Sequence, residues 1–335
     1  MIPNQWYVVL DSKQVKRKPV GVTRMGEKLV FWRDGEGRVV SLRDRCVHRG
    51  VQLSKGKIID AHLQCPFHGF EYNASGQVTK IPAYGAGAPI HERFRVSAYP
   101  THEARDFIWV WWGDEPPEDL EPPRFFDDID DSFRIGRTID AWDAHYSRVI
   151  ENQLDVVHLP FVHYNTIGRG DRTVVDGPGL EWVDEGMFFV YAFNRQDDGT
   201  PPRKPAEVPV PDPSREYKLE FIFPNLWQNH ISVDLRIVAA FVPVDEEHTL
   251  LYLRTYQRFL TLPVLGKLVA LLSMIGNLYI AHQDRRVVVT QQPKPSALVM
   301  GEKLIQGDHP IVAYRRRRQE VLDQGNGVGR PASKA

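Results

Sequence analysis

Residues 46–50 read CVHRG and residues 65–70 read CPFHGF, and these two segments decide the fold of the first part of the chain. Each segment contains one cysteine, one histidine shortly after it, and a glycine within two positions of the histidine. Thiolate and imidazole are good ligands for transition metals. The glycines allow tight turns in which backbone N–H groups approach a bound metal group. The sequence therefore predicts a metal site built from Cys46, His48, Cys65 and His68.

These ligand types are compatible with two kinds of metal group. A structural zinc ion accepts two thiolates and two imidazoles in a tetrahedron. A [2Fe-2S] cluster also fits, with two cysteines on one iron and two histidines on the other. The two segments resemble the cluster-binding loops of Rieske oxygenases, and that resemblance favours the cluster. The two further cysteines of respiratory Rieske proteins are absent, since the chain has only two cysteines.

A second pair of histidines follows in residues 151–163, which read ENQLDVVHLPFVH. Asp155 lies three residues before His158, so the two are expected on one face of a helix. Non-haem Fe(II) oxygenases use two histidines and one carboxylate, which leave coordination positions open. The segment resembles the catalytic-iron motif of Rieske oxygenases. The resemblance implies that His158 and His163 bind a mononuclear Fe(II).

The same resemblance assigns roles to two further residues and leaves a third open. It implies that Asp155 is not a ligand but connects a ligand histidine to a cluster histidine of a neighbouring subunit. It implies that Asp284, within residues 282–292, is the third iron ligand, although an aspartate beside two arginines is usually a solvated helix residue. Asn152 lines the pocket, tunes the ligand network, or only caps local backbone, and the sequence leaves these alternatives open.

The distribution of apolar runs predicts two domains. Short β-rich runs between residues 6 and 112 predict a small antiparallel β domain. Residues 113–123 are acidic and rich in proline, which predicts an extended connection. We therefore expect a Rieske [2Fe-2S] domain over residues 1–117 and a catalytic mononuclear-iron domain over residues 118–335. Residues 325–335 are glycine-rich and polar, and are expected to be a disordered tail.

The second domain is predicted to be α+β. Helices are expected at residues 141–158 and 265–292, and strands at residues 187–193, 217–223, 231–242 and 250–259. This pattern predicts an antiparallel sheet flanked by helices. The resemblance implies the helix-grip type of this architecture.

Composition limits the partners and the location. The net charge of −1 gives no reason to expect nucleic acid as a partner. The first ten residues do not resemble a secretory signal, so we expect a cytoplasmic protein. The apolar run at residues 268–281 is shorter than the ~20 residues of a membrane span, so no span is expected.

The family resemblance implies the function of a terminal oxygenase. The expected reaction is O2-dependent hydroxylation, or O- or N-demethylation, of a small aromatic or cyclic substrate. The electrons would come from a separate NAD(P)H-dependent reductase, with or without a ferredoxin, and the chain would form a homotrimer. Aromatic cis-dihydroxylation and a pure Rieske electron carrier without catalytic iron are the alternatives.

Some residues remain unassigned by the sequence. His230 could reach the pocket from its strand. The arginine run at residues 315–318 predicts a solvated helix face or a docking patch for an acidic electron donor. Five further residues could face the iron, and the sequence does not choose among Phe161, Ile167, Trp227, Asn229 and Phe241.

Overall fold

The computed structural model describes residues 1–85, 87–113, 116, 119–212, 217–260 and 262–327. The chain divides into two compact units. One contains Pro3–Pro123 and Pro243–Asp245, and the other contains Arg124–Val242 and the residues from Glu246 onward. The domain boundary expected between residues 117 and 118 lies outside the described residues.

The first unit is built from three antiparallel sheets. Their orders are β1-β11-β10, β2-β3-β4-β9 and β5-β6-β7-β8. The strands are β1 Gln5–Asp11, β2 Val20–Arg24, β3 Glu27–Arg33, β4 Val39–Arg43, β5 Lys57–Ile59, β6 His62–Gln64, β7 Glu71–Tyr72, β8 Val78–Lys80, β9 Ala98–Tyr99, β10 Thr101–Ala104 and β11 Phe107–Trp112. The prediction of an all-β N-terminal domain is confirmed.

Strand β3 separates two hydrophobic cores in this unit. Its residues Leu29 and Phe31 pack in one core. Val30 and Trp32 pack in the other, because successive side chains of a strand point to opposite faces. The second core also contains both cysteines of the predicted metal site, so their two loops rest on a packed apolar base.

The second unit is a seven-stranded sheet with helices, which confirms the predicted α+β architecture. The sheet order is β12-β18-β17-β16-β15-β14-β13. The strands are β12 Arg134–Trp142, β13 Val174–Asp184, β14 Met187–Arg195, β15 Lys218–Ile222, β16 Leu226–Ser232, β17 Leu235–Pro243 and β18 Thr249–Gln257. The helices are α1 Tyr146–Leu154, α2 Leu159–Val162, α3 Pro263–Val288 and α4 His309–Gly327.

The helix predicted at residues 141–158 was wrong at both ends. Trp142 ends β12 and pairs with Thr249 of β18. The first residues of the predicted helix, Ala141 and Trp142, therefore belong to a strand. Helix α1 begins at Tyr146 and ends at Leu154. The strand predicted at residues 231–242 was also wrong as a single element, because a turn separates β16 from β17.

A buried ion-pair network ties α1 to α4. Nε and Nη2 of Arg315 donate to the two carboxylate oxygens of Glu151 at 2.7 and 2.8 Å. Nη1 of Arg315 and Nη1 of Arg148 each donate to Glu302, at 2.7 and 2.9 Å. The interpretation of residues 315–318 as a solvated face was therefore wrong for Arg315, which is buried.

The structure describes only the first three residues of the tail that was expected to be disordered at residues 325–335. Helix α4 includes residues 325–327, and the remainder of the expected disordered tail lies outside the described residues. Among the residues that the structure describes, no helix combines the length and apolarity needed to cross a bilayer.

Candidate functional site: two groups of metal-binding side chains

The two cysteine loops of the first unit have the same backbone conformation. In each loop the cysteine N–H donates to the carbonyl five residues later at 2.8 Å, from Cys46 to Val51 and from Cys65 to Phe70. The glycine four residues after each cysteine has a φ of 73°. Two equivalent turns therefore present the four predicted ligands.

The cysteines and histidines of these loops differ in burial. Both cysteines are buried, at 4% and 2% exposure. The rings of His48 and His68 are exposed, and their centroids lie 4.6 Å apart. Tyr72 Oη donates to Cys46 Sγ at 3.1 Å. This arrangement fits a [2Fe-2S] group with its thiolate end inside and its imidazole end at the surface.

Burial raises the pKa of the Cys65 thiol, and the adjacent Cys46 sulfur raises it further. A thiolate at this position therefore needs positive charge beside it. Iron bound to both sulfurs supplies that charge, so the chemistry of the donor set also fits the cluster.

Replacement of the loop glycines by alanine is expected to cost unequal amounts of stability. A φ of 73° costs an L-residue roughly 1–2 kcal/mol at either position. At Gly69 a Cβ would also lie 2.9 Å from Cγ of Pro82, a rigid ring. At Gly50 its nearest neighbour would be Nε of the flexible Arg45 side chain, at 3.3 Å. Gly69→Ala should therefore lose roughly 1–3 kcal/mol more than Gly50→Ala, as measured by denaturant unfolding. Equal losses would contradict this account.

In the second unit, a short turn places the two histidines. Asp155 follows α1 in extended backbone, so the expectation that it shares a helix with His158 was wrong. Asp155 Oδ1 accepts the backbone N–H groups of Val157 and His158, at 2.6 and 3.3 Å. This turn starts α2 directly after His158, and α2 ends at Val162, with His163 as its C-cap. The two imidazoles thus flank one turn of helix.

Helix α3 brings a carboxylate to the same point. His163 Nε2 lies 3.0 Å from Asp284 Oδ1, and His158 Nε2 lies 3.4 Å from it. The two imidazole Nε2 atoms are 3.3 Å apart. One ion with bonds of roughly 2.1 Å contacts three ligand atoms at these separations. The three side chains are therefore a candidate metal site that leaves one side open.

The charges around this point favour a cation. Burial alone would lower the pKa of His158, but the carboxylates of Asp155 and Asp284 outweigh burial and raise that pKa to about 9. Burial would raise the pKa of Asp284, but hydrogen bonds and charge from His158 and His163 lower it to about 2. Asp284 is thus held as an anion at neutral pH, as a metal ligand requires.

Gln283 orients one imidazole, and the sequence interpretation missed it. Its Oε1 lies 2.9 Å from His163 Nδ1 and accepts from Thr166 Oγ1 at 3.0 Å. Its Nε2 donates to Asn165 Oδ1 at 2.7 Å. An amide oxygen only accepts, so His163 Nδ1 donates to Gln283 and the ring presents Nε2 to Asp284 at the candidate metal position.

Two amides hold the Asp284 carboxylate. Asn152 Nδ2 lies 3.3 Å from Asp284 Oδ1, and Gln153 Nε2 lies 3.4 Å from Asp284 Oδ2. Both amides come from the last turn of α1, the helix that Arg315 anchors. The structure thus brings Asn152 to the same group as the two histidines.

A cavity of about 290 Å³ adjoins the three converging side chains. Its wall is mostly apolar and includes Ile167, Trp227 and Asn229. Phe161 is instead exposed, and Phe241 is buried in the core. A larger groove of about 580 Å³ between β13 and α4 contains none of the three side chains.

His230 lies on the sheet face opposite the cavity, because its neighbour Asn229 lines the cavity wall. His230 is grouped there with Asp128 and Glu220. Both carboxylates already have cationic partners: Arg236 Nε is 2.9 Å from Asp128, and Lys218 Nζ is 2.6 Å from Glu220. We therefore interpret this group as a charge-balanced structural network.

Comparison with known proteins gives two family matches. Residues 5–100 match the Rieske [2Fe-2S] domain, and residues 142–324 match the vanillate O-demethylase oxygenase C-terminal domain. The cofactors of this combination are a [2Fe-2S] cluster and a mononuclear iron.

Similar proteins include a putative toluene-4-sulfonate monooxygenase system iron-sulfur subunit, TsaM2, of Comamonas testosteroni, 34% identical over 50% of this chain and 48% of that protein. The dicamba O-demethylase oxygenase component of Stenotrophomonas maltophilia is 31% identical over 53% of this chain and 54% of that protein. The vanillate O-demethylase oxygenase subunit of a Pseudomonas species is 34% identical over 50% and 46%. This chain therefore spans about half the length of the curated relatives it matches.

Solved structures match over nearly the whole chain. The structure of Pseudomonas putida CBB5 NdmA has a TM-score of 0.77 at 22% identity, and the match covers 97% of this chain and 92% of that one. These values show a shared fold. The second family match spans more than half of the chain. The chain therefore belongs to the Rieske oxygenases whose second domain is the vanillate O-demethylase oxygenase C-terminal domain.

Proposed function

We propose that this chain is the terminal oxygenase component of a multicomponent Rieske system. Its reaction is O2-dependent hydroxylation, or O- or N-demethylation, of a small aromatic or cyclic compound. The observation that carries the proposal is the convergence of His158, His163 and Asp284 beside a cavity, in a chain that also has a Rieske domain.

In this proposal each group of side chains binds one cofactor. Cys46, His48, Cys65 and His68 bind the [2Fe-2S] cluster. His158, His163 and Asp284 bind Fe(II), which supplies the activation of O2 when it is bound. Gln283 fixes the protonated nitrogen of His163, and Asn152 holds the Asp284 carboxylate by hydrogen bonding.

Asp155 is proposed to connect the two centres across a subunit interface in a homotrimer. Its side chain is 25% exposed, and its Oδ2 lies 3.6 Å from His158 Nδ1. The exposed rings of His48 and His68 present the cluster end to a neighbouring copy. The electrons would come from an NAD(P)H-dependent reductase, with or without a ferredoxin.

The cavity supports a compact substrate. Its volume of about 290 Å³ is at the small end of ligand pockets, which suits a substrate with one or two rings. Its apolar walls would exclude water and position the reacting group near the three converging side chains. Two relatives are named O-demethylases, of dicamba and of vanillate, which supports monooxygenation over dihydroxylation.

Iron and acid-labile sulfide per chain test the proposal. Protein purified anaerobically should contain three irons and two sulfides, from one [2Fe-2S] cluster and one mononuclear ion. Two irons after reconstitution with Fe(II) would instead indicate an electron carrier. With a known substrate, 18O2 should place one labelled oxygen atom in the organic products and the other in water, whereas cis-dihydroxylation would place both in the organic product.

Gln283→Leu is expected to weaken metal binding by about 10–100-fold, because His163 loses the acceptor that orients it. Co(II) titration followed by visible absorption measures this affinity without turnover. Tyr279→Phe is the control, since it removes only a 3.4 Å contact with Asn165 on the same network. An unchanged Co(II) affinity in the leucine variant would show that Gln283 does not position the ligand.

A further inference from the structure

Helix α3 has an apolar face on each side. On the inner side, Ala270, Met274 and Ala281 are buried. The contact with the sheet is close, because a Cβ at Gly136 of β12 would lie 2.0 Å from the carbonyl oxygen of Ala270. The outer face is equally apolar but exposed. Five of its side chains are 46% to 67% exposed: Leu265, Leu268, Leu272, Ile275 and Tyr279.

The spacing of these five residues is that of a helix-pairing seam. They follow one another at intervals of three, four, three and four residues, the heptad pattern of packed helices. Residues 268–283 contain no aspartate, glutamate, lysine or arginine. A helix that is apolar on all sides is normally covered on all sides.

Gly276 lies beside this seam, in the middle of the helix. A glycine in a helix interior costs about 1 kcal/mol relative to alanine. A Cβ at Gly276 would meet no atom of the described residues within 4 Å, so packing inside this chain does not require the glycine. Small residues on a helix surface allow the backbone of another helix to approach closely.

The exposed apolar area on the outer face of α3 is similar to the area that one partner buries in a stable complex. Leu262 and Leu271 are also exposed, at 59% each. Together with the five seam residues they present roughly 700 Å² of surface, close to the ~800 Å² that each partner buries in a stable complex. The largest apolar patch of a typical monomer is about 300–600 Å².

We propose that the outer face of α3 pairs with the same face of a second copy of this chain, around a two-fold axis with Gly276 at the helix crossing. Charged residues beside a seam set partner choice and orientation, and residues 268–283 contain no charge that would repel a second copy of the same face. A regular apolar seam is complementary to itself, as an isologous contact requires.

This contact differs from the proposed trimer interface. A head-to-tail trimer joins two different surfaces of each chain, whereas the α3 contact joins identical ones. The α3 contact therefore makes the number of chains even. With the trimer it gives six chains, and without the trimer it gives two.

Mass photometry and light scattering of the full-length holoprotein test the proposal. Ile275→Glu places a charge in the seam, and Gly276→Leu fills the crossing point; each should halve the assembly mass. Val183→Glu on β13 is the control, since it changes a 52% exposed apolar residue outside α3 and should leave the mass unchanged. Gly276→Leu should still fold with the wild-type helix content measured by circular dichroism, because the position is open.

Three results would overturn the proposal. The first is an odd number of chains in the wild-type assembly, and the second is an unchanged mass in both α3 variants. The third is sedimentation of wild-type protein with phosphatidylcholine vesicles that is lost in Ile275→Glu without a change in mass, which would make the face a lipid-docking surface. Iron content is measured in parallel. An iron content below three atoms per chain would contradict the proposed function, whereas the assembly mass tests only the α3 contact.

Discussion

Asp284→Ala and His158→Ala are each expected to lower the iron content from three atoms per chain to two, with two sulfides and the cluster absorption retained. The reason is geometric, since the three ligand atoms lie 3.0 to 3.4 Å apart and no two of them enclose the ion. Turnover should fall by roughly three orders of magnitude or more, because the metal contributes several kcal/mol to the chemistry. Metal analysis and the visible spectrum of anaerobic protein measure both effects.

Asp140→Ala provides the matched control for these variants. Asp140 is a buried carboxylate that accepts from Arg285 of α3 at 2.8 Å, but it lies outside the converging group. Its loss should reduce stability and leave three irons per chain. If Asp284→Ala and His158→Ala also keep three irons, the assignment of the mononuclear site is wrong.

Asp155→Asn is expected to keep all three irons and to slow electron transfer to the mononuclear site by about 100-fold or more. The amide retains an oxygen for the N–H groups of Val157 and His158, so the turn should survive. In the wild type, the negative charge of Asp155 faces His158 Nδ1 and raises the pKa of His158. The amide removes this charge. Such a slowing corresponds to a barrier increase of roughly 3 kcal/mol.

Stopped-flow reoxidation of the reduced cluster, with O2 and substrate present, measures this step directly. Asp308→Asn is the control, because it also removes a carboxylate charge, and the Asp308 side chain accepts from the backbone N–H of Ile305 at 2.7 Å. A normal reoxidation rate in Asp155→Asn would show that the aspartate does not connect the two centres. Loss of iron in that variant would show instead a role in building the site.

The proposed metal ligands could be found from the sequence because most of them lie in short motifs. The histidine pair occupies one turn, and the cysteines sit in two nearly identical loops. Asp284 needed the family resemblance, since nothing in its neighbours distinguishes it from a solvated helix residue. Gln283 was missed because its partners lie about 120 residues away and single-sequence patterns do not report such contacts.

The errors in secondary structure have the same origin. Ala141 and Trp142 look helical beside their downstream neighbours, but pairing with β18 places them in a strand. A run of four arginines predicts a solvated side chain at Arg315. In the structure Arg315 is buried and donates hydrogen bonds to Glu151 and Glu302. In each example a distant partner overrides the local preference.

The two proposed metal sites differ in how much chain each requires. The four cluster ligands fall between residues 46 and 68, whereas the mononuclear site needs residues from 158 to 284. Domains generally fold from the N-terminus during synthesis, at about 5–20 residues per second. The cluster loops thus leave the ribosome well before α3 does. Cluster insertion can begin on the nascent chain, and iron loading has to wait for α3.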